Sequence, residues 1–493
     1  MKTISPQEVA KHNTKEDVWV ILHGKVYDLT KFLPEHPGGQ KIILKYAGQD
    51  ATDAFDPIHP PDIIDRFLSP EVCIGQVDAT ALAAVEKVET EAEKRLRLAR
   101  ENMPRLDEMY NSFDFESVAK SVLKPDAWAY YSSGADDEIS MRENHNAFHR
   151  IWLRPRVMVD VKNVDLSTTM LGSKVSIPLY ITATALGKLG HPDGEKVLTR
   201  AAAKKNVIQM IPTLASCSFD EIVDTRAENQ TQWLQLYVNS DRAVTEKFVR
   251  HAEARGIKGL FITVDAPQLG RREKDMRQKY SEEAPDEMDE NSMTRDQGAA
   301  RAISSFIDPS LNWKDIAWFK QITKMPIIIK GVQTPEDAVL AAKYGCQGIV
   351  LSNHGGRQLD FAPSAIEILP EVMDALKQEG LDKNFEVYVD GGIRRGSDIF
   401  KALALGAKGV GIGRPFLFAM SGYGDAGVER LIELLKGELE MCMRLMGAPT
   451  VADIKREMVD IRNIKDHFVA NPTDYLAHGA YERMHPRGNW SKL

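Results

Sequence analysis

The densest chemistry in the chain lies at Ser352-Asn353-His354-Gly355-Gly356-Arg357-Gln358. Histidine is the usual acid–base group near neutral pH. An arginine three residues on can grip a carboxylate through two parallel hydrogen bonds. A base beside a carboxylate clamp suits a substrate that reacts at the carbon next to its carboxylate. Asp265 is placed either to stabilise an imidazolium at His354, to cap a helix or to pair with Arg272. A second constellation, Asp390 to Ser397 followed by Gly409 to Arg414, combines glycines, free N–H groups and arginines, the character of a phosphate site. There is no Walker motif, and GVGIGR lacks a Rossmann context, so a mononucleotide such as FMN fits better than NAD. A third pair is His36, in Glu35-His36-Pro37-Gly38-Gly39, and His59, in FDPIHPP. Two neutral imidazoles from opposite sides can ligate a haem iron, although HPGG alone also reads as a plain turn. With both axial positions filled, such an iron carries electrons and does not activate oxygen.

Elements must hold these residues in place. From Ile177 onwards, eight apolar β-rich runs alternate with helical segments: 177–185, 207–214, 233–238, 260–266, 326–332, 348–355, 386–393 and 409–416. Near-continuous apolar strands separated by helices imply a parallel sheet with both faces covered. Eight units over roughly 250 residues predict an α/β fold, a closed (β/α)8 TIM barrel, with a doubly wound open sheet as runner-up. Polar residues gather where the runs stop, at the strand ends where such barrels place their catalytic groups. The stretch 268–312 is polar and lacks periodicity, and reads as a long loop. Residues 1–76 form a separate small α+β module with short β patterns. Residues 77–105 read as a solvated, charged helical linker, 106–470 as the barrel and 471–493 as a polar tail.

The 493 residues favour at least two domains. The net charge of −8 argues against a general nucleic-acid binder and suits a basic protein partner. The four cysteines, Cys73, Cys217, Cys346 and Cys442, have neither zinc nor disulfide spacing. No apolar stretch is long enough to be a transmembrane segment.

The N-terminal module resembles the cytochrome b5-type haem-binding domain, which implies b-type haem held by His36 and His59. Residues from about 106 to 470 resemble the FMN-dependent 2-hydroxy acid dehydrogenase and oxidase family. The matching motifs include AYYSSGADDE (129–138), RENHNAFHR (142–150), TVDAP (263–267), LGRRE (269–273), SNHGGRQLD (352–360) and DGGIRRG (390–396). The resemblance implies His354 as the base with Asp265 as its partner, and Arg357 and Tyr130 on the substrate carboxylate. Tyr237 falls on the substrate hydroxyl, with Arg272 supporting the developing charge. Lys330 falls beside the flavin's N1/O2 edge. Ala185, Gln235, Thr263 and Ser352 fall on the ring, and Asp390, Gly391, Gly392, Arg394, Gly413 and Arg414 on ribityl and phosphate. Ala185 and Leu214 border the substrate side chain. Pro212 departs from the family pattern, in which a serine often precedes Thr213.

The implied activity is oxidation of L-lactate, or a similar small L-2-hydroxy acid, to the 2-keto acid, with electrons passing from FMN through haem to cytochrome c. An FMN oxidase that reduces oxygen to peroxide is the alternative. The resemblance further implies a homotetramer in the mitochondrial intermembrane space. The N-terminus shows neither an apolar signal core nor an Arg-rich transit pattern, which keeps the cytoplasm as the other expectation.

Overall fold

The computed structural model describes residues 2–36, 40–77, 89–280 and 307–467. The Pro37-Gly38-Gly39 turn, the acidic 281–290 stretch and the 471–493 tail lie outside the described residues.

The N-terminal module is a five-stranded sheet in the order Thr3–Ile4, Cys73–Val77, Lys25–Asp28, Asp17–Leu22 and Asn13–Thr14. Alternation along Asp17–Leu22 divides the module into two small cores. Val18, Val20 and Leu22 pack with Tyr27, Leu29, Leu33 and Ile43, and Ile21 packs on the other face with Ile4, Val9, Val26 and Val77. His36 follows the short turn Leu33–Glu35, and His59 follows the helix Thr52–Phe55.

The linker is less solvated than its charge suggests. Its helix, Glu91–Glu101, starts at a reciprocal cap in which the Glu93 N–H donates to the Thr90 hydroxyl and the Thr90 N–H to the Glu93 carboxylate. Its far end docks on the barrel. Ala99, Met103 and Leu106 pack against the main core, and Arg100 Nη1 reaches the Ser421 carbonyl at 3.4 Å. The few apolar residues that do this are diluted among charges in the sequence.

The barrel closes. Its strands are Leu179–Ile181 (β1), Ile208–Ile211 (β2), Gln232–Leu236 (β3), Leu260–Thr263 (β4), Ile327–Val332 (β5), Gly348–Leu351 (β6), Glu386–Asp390 (β7) and Gly409–Ile412 (β8). Each pairs in parallel with the next, and β8 returns to β1 with Val410 opposite Leu179. Tyr180, Ile208, Met210, Trp233, Phe261, Ile328, Val350 and Tyr388 fill the interior. The hairpin Thr168–Met170/Ser173–Val175 adds Met170 and Val175 to this cluster, and the Leu171 N–H holds the Glu386 carboxylate at the start of β7. The N-terminal end of the barrel is thereby plugged.

The expectation of a loop over 268–312 is corrected in part. Glu273–Tyr280 is helical, as its run of straight-chain residues favours, and Ile307 bridges back to Asn239 beside β3. Among the described residues no helix is long and apolar enough to cross a membrane.

Candidate active site

Asp265 lies two residues beyond β4 and His354 three beyond β6, so both project at the open, C-terminal mouth. His354 Nδ1 meets Asp265 Oδ1 at 3.0 Å, and Nε2 meets the Tyr237 hydroxyl at 3.2 Å. Of the three partners the sequence left open for Asp265, the structure selects His354. Gly331, at φ +105°, makes this packing possible. A Cβ there would lie 2.6 Å from both Cβ and Cγ of Asp265.

His354 sits on a strained turn. His354 has φ +58°, and Gly355 and Gly356 continue in the same left-handed region. The turn is held from outside. Asn353 and Asn144 exchange two amide hydrogen bonds of 2.8 Å, and Asn353 Oδ1 also accepts the Gly356 N–H at 3.0 Å. The Ser352 hydroxyl accepts the His354 N–H and the Lys330 ammonium.

Around this pair the charges are fixed by their neighbours. Lys330 lies 3.3 Å from Asp390; burial disfavours its charge, but Asp390 and then Asp265 outweigh this and hold the ammonium above its ordinary value. Burial would raise Asp265, yet His354 and Lys330 together bring it below the usual carboxylate range. Burial also pushes His354 down, against the pull of Asp265. The resting site is therefore a neutral imidazole between an ionised carboxylate and a tyrosine hydroxyl. One consequence is measurable. The acid limb of kcat/KM, where His354 gains a proton, falls below 6.5, the ordinary imidazole value. A pH profile of flavin reduction checks this, and a limb above 6.5 contradicts it.

Four arginines converge on the same mouth. Arg357 Nη1 donates to the carbonyls of Tyr130 at 2.8 Å and Ser133 at 2.9 Å, and its guanidinium stands over the Tyr130 ring. Arg414 donates to the carbonyls of Tyr131, Gly355 and Ser133. Arg272 is held at 3.4 Å from Gln358 Oε1, and Arg394 pairs with Glu116 at 3.3 Å. Burial first, and then Arg357, Arg394 and Arg272, push Arg414 down to about 9; burial and then Arg272 push Arg357 down to about 10. A cluster of like charges that depresses its own members is built to receive anions.

The residues that the sequence assigns to the flavin ring include a hydrogen-bonded rim on β2 to β4. Gln235 Nε2 donates to the Thr263 hydroxyl, its Oε1 accepts the Thr213 N–H, and its carbonyl accepts the Thr213 hydroxyl. Pro212 contributes no N–H to this rim. Gly391 and Gly392 turn at φ +88° and +84° directly after β7, and the Gly392 carbonyl meets His145 Nδ1 at 2.9 Å. Gly413 lies against the methyls of Thr182 and Thr184, and Ala185 follows at the end of the run begun by β1. The structure thus brings every barrel residue singled out in the sequence to one end of the fold. Asn144 and Gly331, which support them, carry no signal of their own in the sequence, although Asn144 lies within RENHNAFHR.

In the N-terminal module the His36 and His59 rings are 6.2 Å apart between centroids. Two metal–imidazole bonds of ~2 Å plus half-ring distances of ~1.1 Å give roughly the same span. One iron therefore fits between them. His59 Nδ1 meets the Phe55 carbonyl at 3.1 Å and its ring stacks on Phe55 at 4.3 Å, which points Nε2 away from the helix.

The FMN-dependent dehydrogenase family matches residues 119–461, and the cytochrome b5-like haem/steroid binding domain matches residues 5–78. The chain belongs to the FMN-dependent dehydrogenases and carries a fused cytochrome b5-like domain; it is an oxidoreductase with FMN and haem as cofactors. It is 56% identical to the L-lactate dehydrogenase (cytochrome) of Wickerhamomyces anomalus, over 98% of this chain and 84% of that protein. The corresponding protein of Saccharomyces cerevisiae is 51% identical, over 97% of this chain and 83% of its own length. The glycolate oxidase of Spinacia oleracea is 41% identical over 71% of this chain and 96% of its own. Among solved structures, the flavin-binding domain of baker's yeast flavocytochrome b2 superposes with a TM-score of 0.73 at 51% identity, covering 81% of this chain and 98% of that one.

The barrel mouth fits FMN on its own terms. Among the described residues, Arg394 Nη1 and the Thr184 hydroxyl are buried without a hydrogen-bond partner. An anion at the Arg394–Arg414 end supplies what Arg394 lacks, and Thr184, whose methyl faces Gly413, lies at the same end.

Proposed function

We infer that the chain is an L-lactate dehydrogenase of the cytochrome-reducing type. The observation that carries this reading is the His354–Asp265–Tyr237 constellation beside Arg357, in a chain that also sets two imidazoles one iron apart. When bound, FMN supplies a two-electron acceptor and haem a one-electron carrier. Arg357 and Tyr130 hold the substrate carboxylate, and Arg272 steadies the developing negative charge. The Tyr237 hydroxyl hydrogen-bonds the substrate hydroxyl and points it at His354. His354 Nε2 receives a proton as the hydroxyl-bearing carbon is oxidised, and Asp265 stabilises the imidazolium that results. Lys330 would lie near the flavin ring, where its buried positive charge would favour electron uptake. Ala185, Gln235, Thr263 and Ser352 would line the ring, and Asp390, Gly391, Gly392, Arg394, Gly413 and Arg414 would hold ribityl and phosphate. The product is pyruvate.

The final acceptor in this reading is cytochrome c, whose encounter the chain's net charge of −8 would favour if that partner is basic. The assembly is a homotetramer, and the compartment is the mitochondrial intermembrane space. The reading is tested by L-lactate turnover with cytochrome c present in air. Two reduced cytochromes per pyruvate support it; stoichiometric peroxide with little reduced cytochrome makes the protein an oxidase.

The two domains separate cleanly in a variant. His36→Ala abolishes the low-spin b-type spectrum and cytochrome c reduction, while L-lactate still bleaches the flavin at close to the normal rate. An unchanged haem spectrum removes His36 from the ligand pair.

A further inference from the structure

Glu195 opens the helix Glu195–Lys205 and is fully buried. A carboxylate persists there only where donors replace its lost water. Oε1 accepts the N–H groups of Gly187 at 2.8 Å and Ser216 at 3.0 Å. Oε2 accepts the Ser216 hydroxyl at 2.9 Å and the Cys217 N–H at 3.1 Å. The Ser216 hydroxyl in turn accepts the Lys188 N–H at 2.8 Å. One carboxylate thus joins two loops, 185–188 after β1 and 213–217 after β2.

No space is left for slack. A Cβ on Gly187 would lie 2.9 Å from Glu195 N and 3.0 Å from its carboxyl carbon. The Tyr131 hydroxyl donates to the Leu186 carbonyl at 2.6 Å from the other side, and Leu186 itself has φ +59°. Both loops leave their strands at the C-terminal ends, at the mouth. Ala185 precedes Leu186, and Leu214 packs with Tyr237 and Ala266. Glu195 has no part in the chemistry set out above.

We propose that Glu195 is a positioning residue that sets the width of the pocket for the substrate's side chain, by fixing the two loop ends that carry Ala185 and Leu214. The proposal rests on the reading that a 2-hydroxy acid binds beside His354. Hydrogen bonds to an ionised carboxylate are roughly twice as strong as neutral ones. Glutamine keeps the shape but turns one acceptor into a donor that faces N–H groups, which parts the loops.

The test uses the full-length, FMN-loaded protein and its Glu195→Gln and Ser216→Ala variants. Flavin bleaching gives kcat/KM for glycolate, which has no side chain, and for L-lactate, 2-hydroxybutyrate and 2-hydroxyoctanoate. In Glu195→Gln the ratio of the longest acid to glycolate rises about tenfold, carried mainly by KM. Ser216→Ala moves it less and in the same direction. A merely structural role lowers the melting temperature and all four acids by one common factor, and that result overturns the proposal. If Glu195→Gln yields no folded protein, the Ser216→Ala ratio decides alone, and an unchanged ratio overturns it. A native protein that none of the four acids bleaches refutes the underlying reading of the site, which is a different failure.

Discussion

Replacing His354 by glutamine slows flavin reduction by L-lactate about 10³–10⁴-fold, with FMN still bound. Glutamine is close in reach and can keep a hydrogen bond to Tyr237, but it cannot take a proton. None of the ring and phosphate residues named above moves in this variant. Asp265 loses its only observed side-chain hydrogen-bond partner among the described residues and has one oxygen already unpaired. The melting temperature therefore falls as well, by the equivalent of about 1–3 kcal/mol. Stopped-flow absorbance in the flavin band measures the rate, and the spectrum of the resting protein reports occupancy. Reduction within tenfold of normal would show that another group takes the proton.

The second large effect is structural. Gly392→Ala introduces a Cβ that would meet the Asn144 carbonyl oxygen at 1.8 Å, its carbon at 2.3 Å and His145 N at 2.9 Å. These are backbone atoms of the helix Ile139–His149, so no side chain can swing aside. The residue is also at φ +84°, where an L side chain is strained. Overpacking and strain together cost about 3–5 kcal/mol. The adjoining 393–395 loop, proposed above to help hold the phosphate, is displaced with it, and FMN washes out on dialysis. Denaturant unfolding and the flavin content of dialysed protein measure both effects. Gly437→Ala is the control, since its Cβ meets nothing within 4 Å and lies in a helix. It is neutral or slightly stabilising. Equal midpoints in the two variants would remove the packing argument.

Much of this arrangement was legible before any coordinates. Eight apolar runs are a local property of the chain, and so are the polar residues that end them. His354 and Arg357 stand out because they share one short glycine-rich loop. His36 and His59 stand out from His12 and His23 because they alone sit in proline-rich turn contexts, EHPGG and DPIHPP. What could not be read is the support. Asn144 and Asn353 mark a special pair only when a helix ahead of the barrel meets the sixth strand end. Gly331 looks like any strand glycine until Asp265 is packed on it. Glu195 reads as an ordinary acidic residue in the first turn of a helix, and only its burial shows that it serves two loops. The helix at 273–280 was missed because its charged residues leave no apolar period to detect.

The amide pair between Asn144 and Asn353 spans 209 residues of chain. The Ser112 hydroxyl reaches the Arg394 carbonyl across 282, and Arg414 reaches the Tyr131 carbonyl across 283. The mouth of the barrel is therefore stitched by segments far apart in the sequence. Contacts of such separation form late, after the loops they close have been ordered. During synthesis, residues 112–149 leave the ribosome long before their partners exist. A growing chain cannot complete the guanidinium cluster or the turn that carries the base until residue 414 has emerged. Retention of FMN is thus a signature of the finished fold, and a truncated chain has no assembled centre from which to leak electrons.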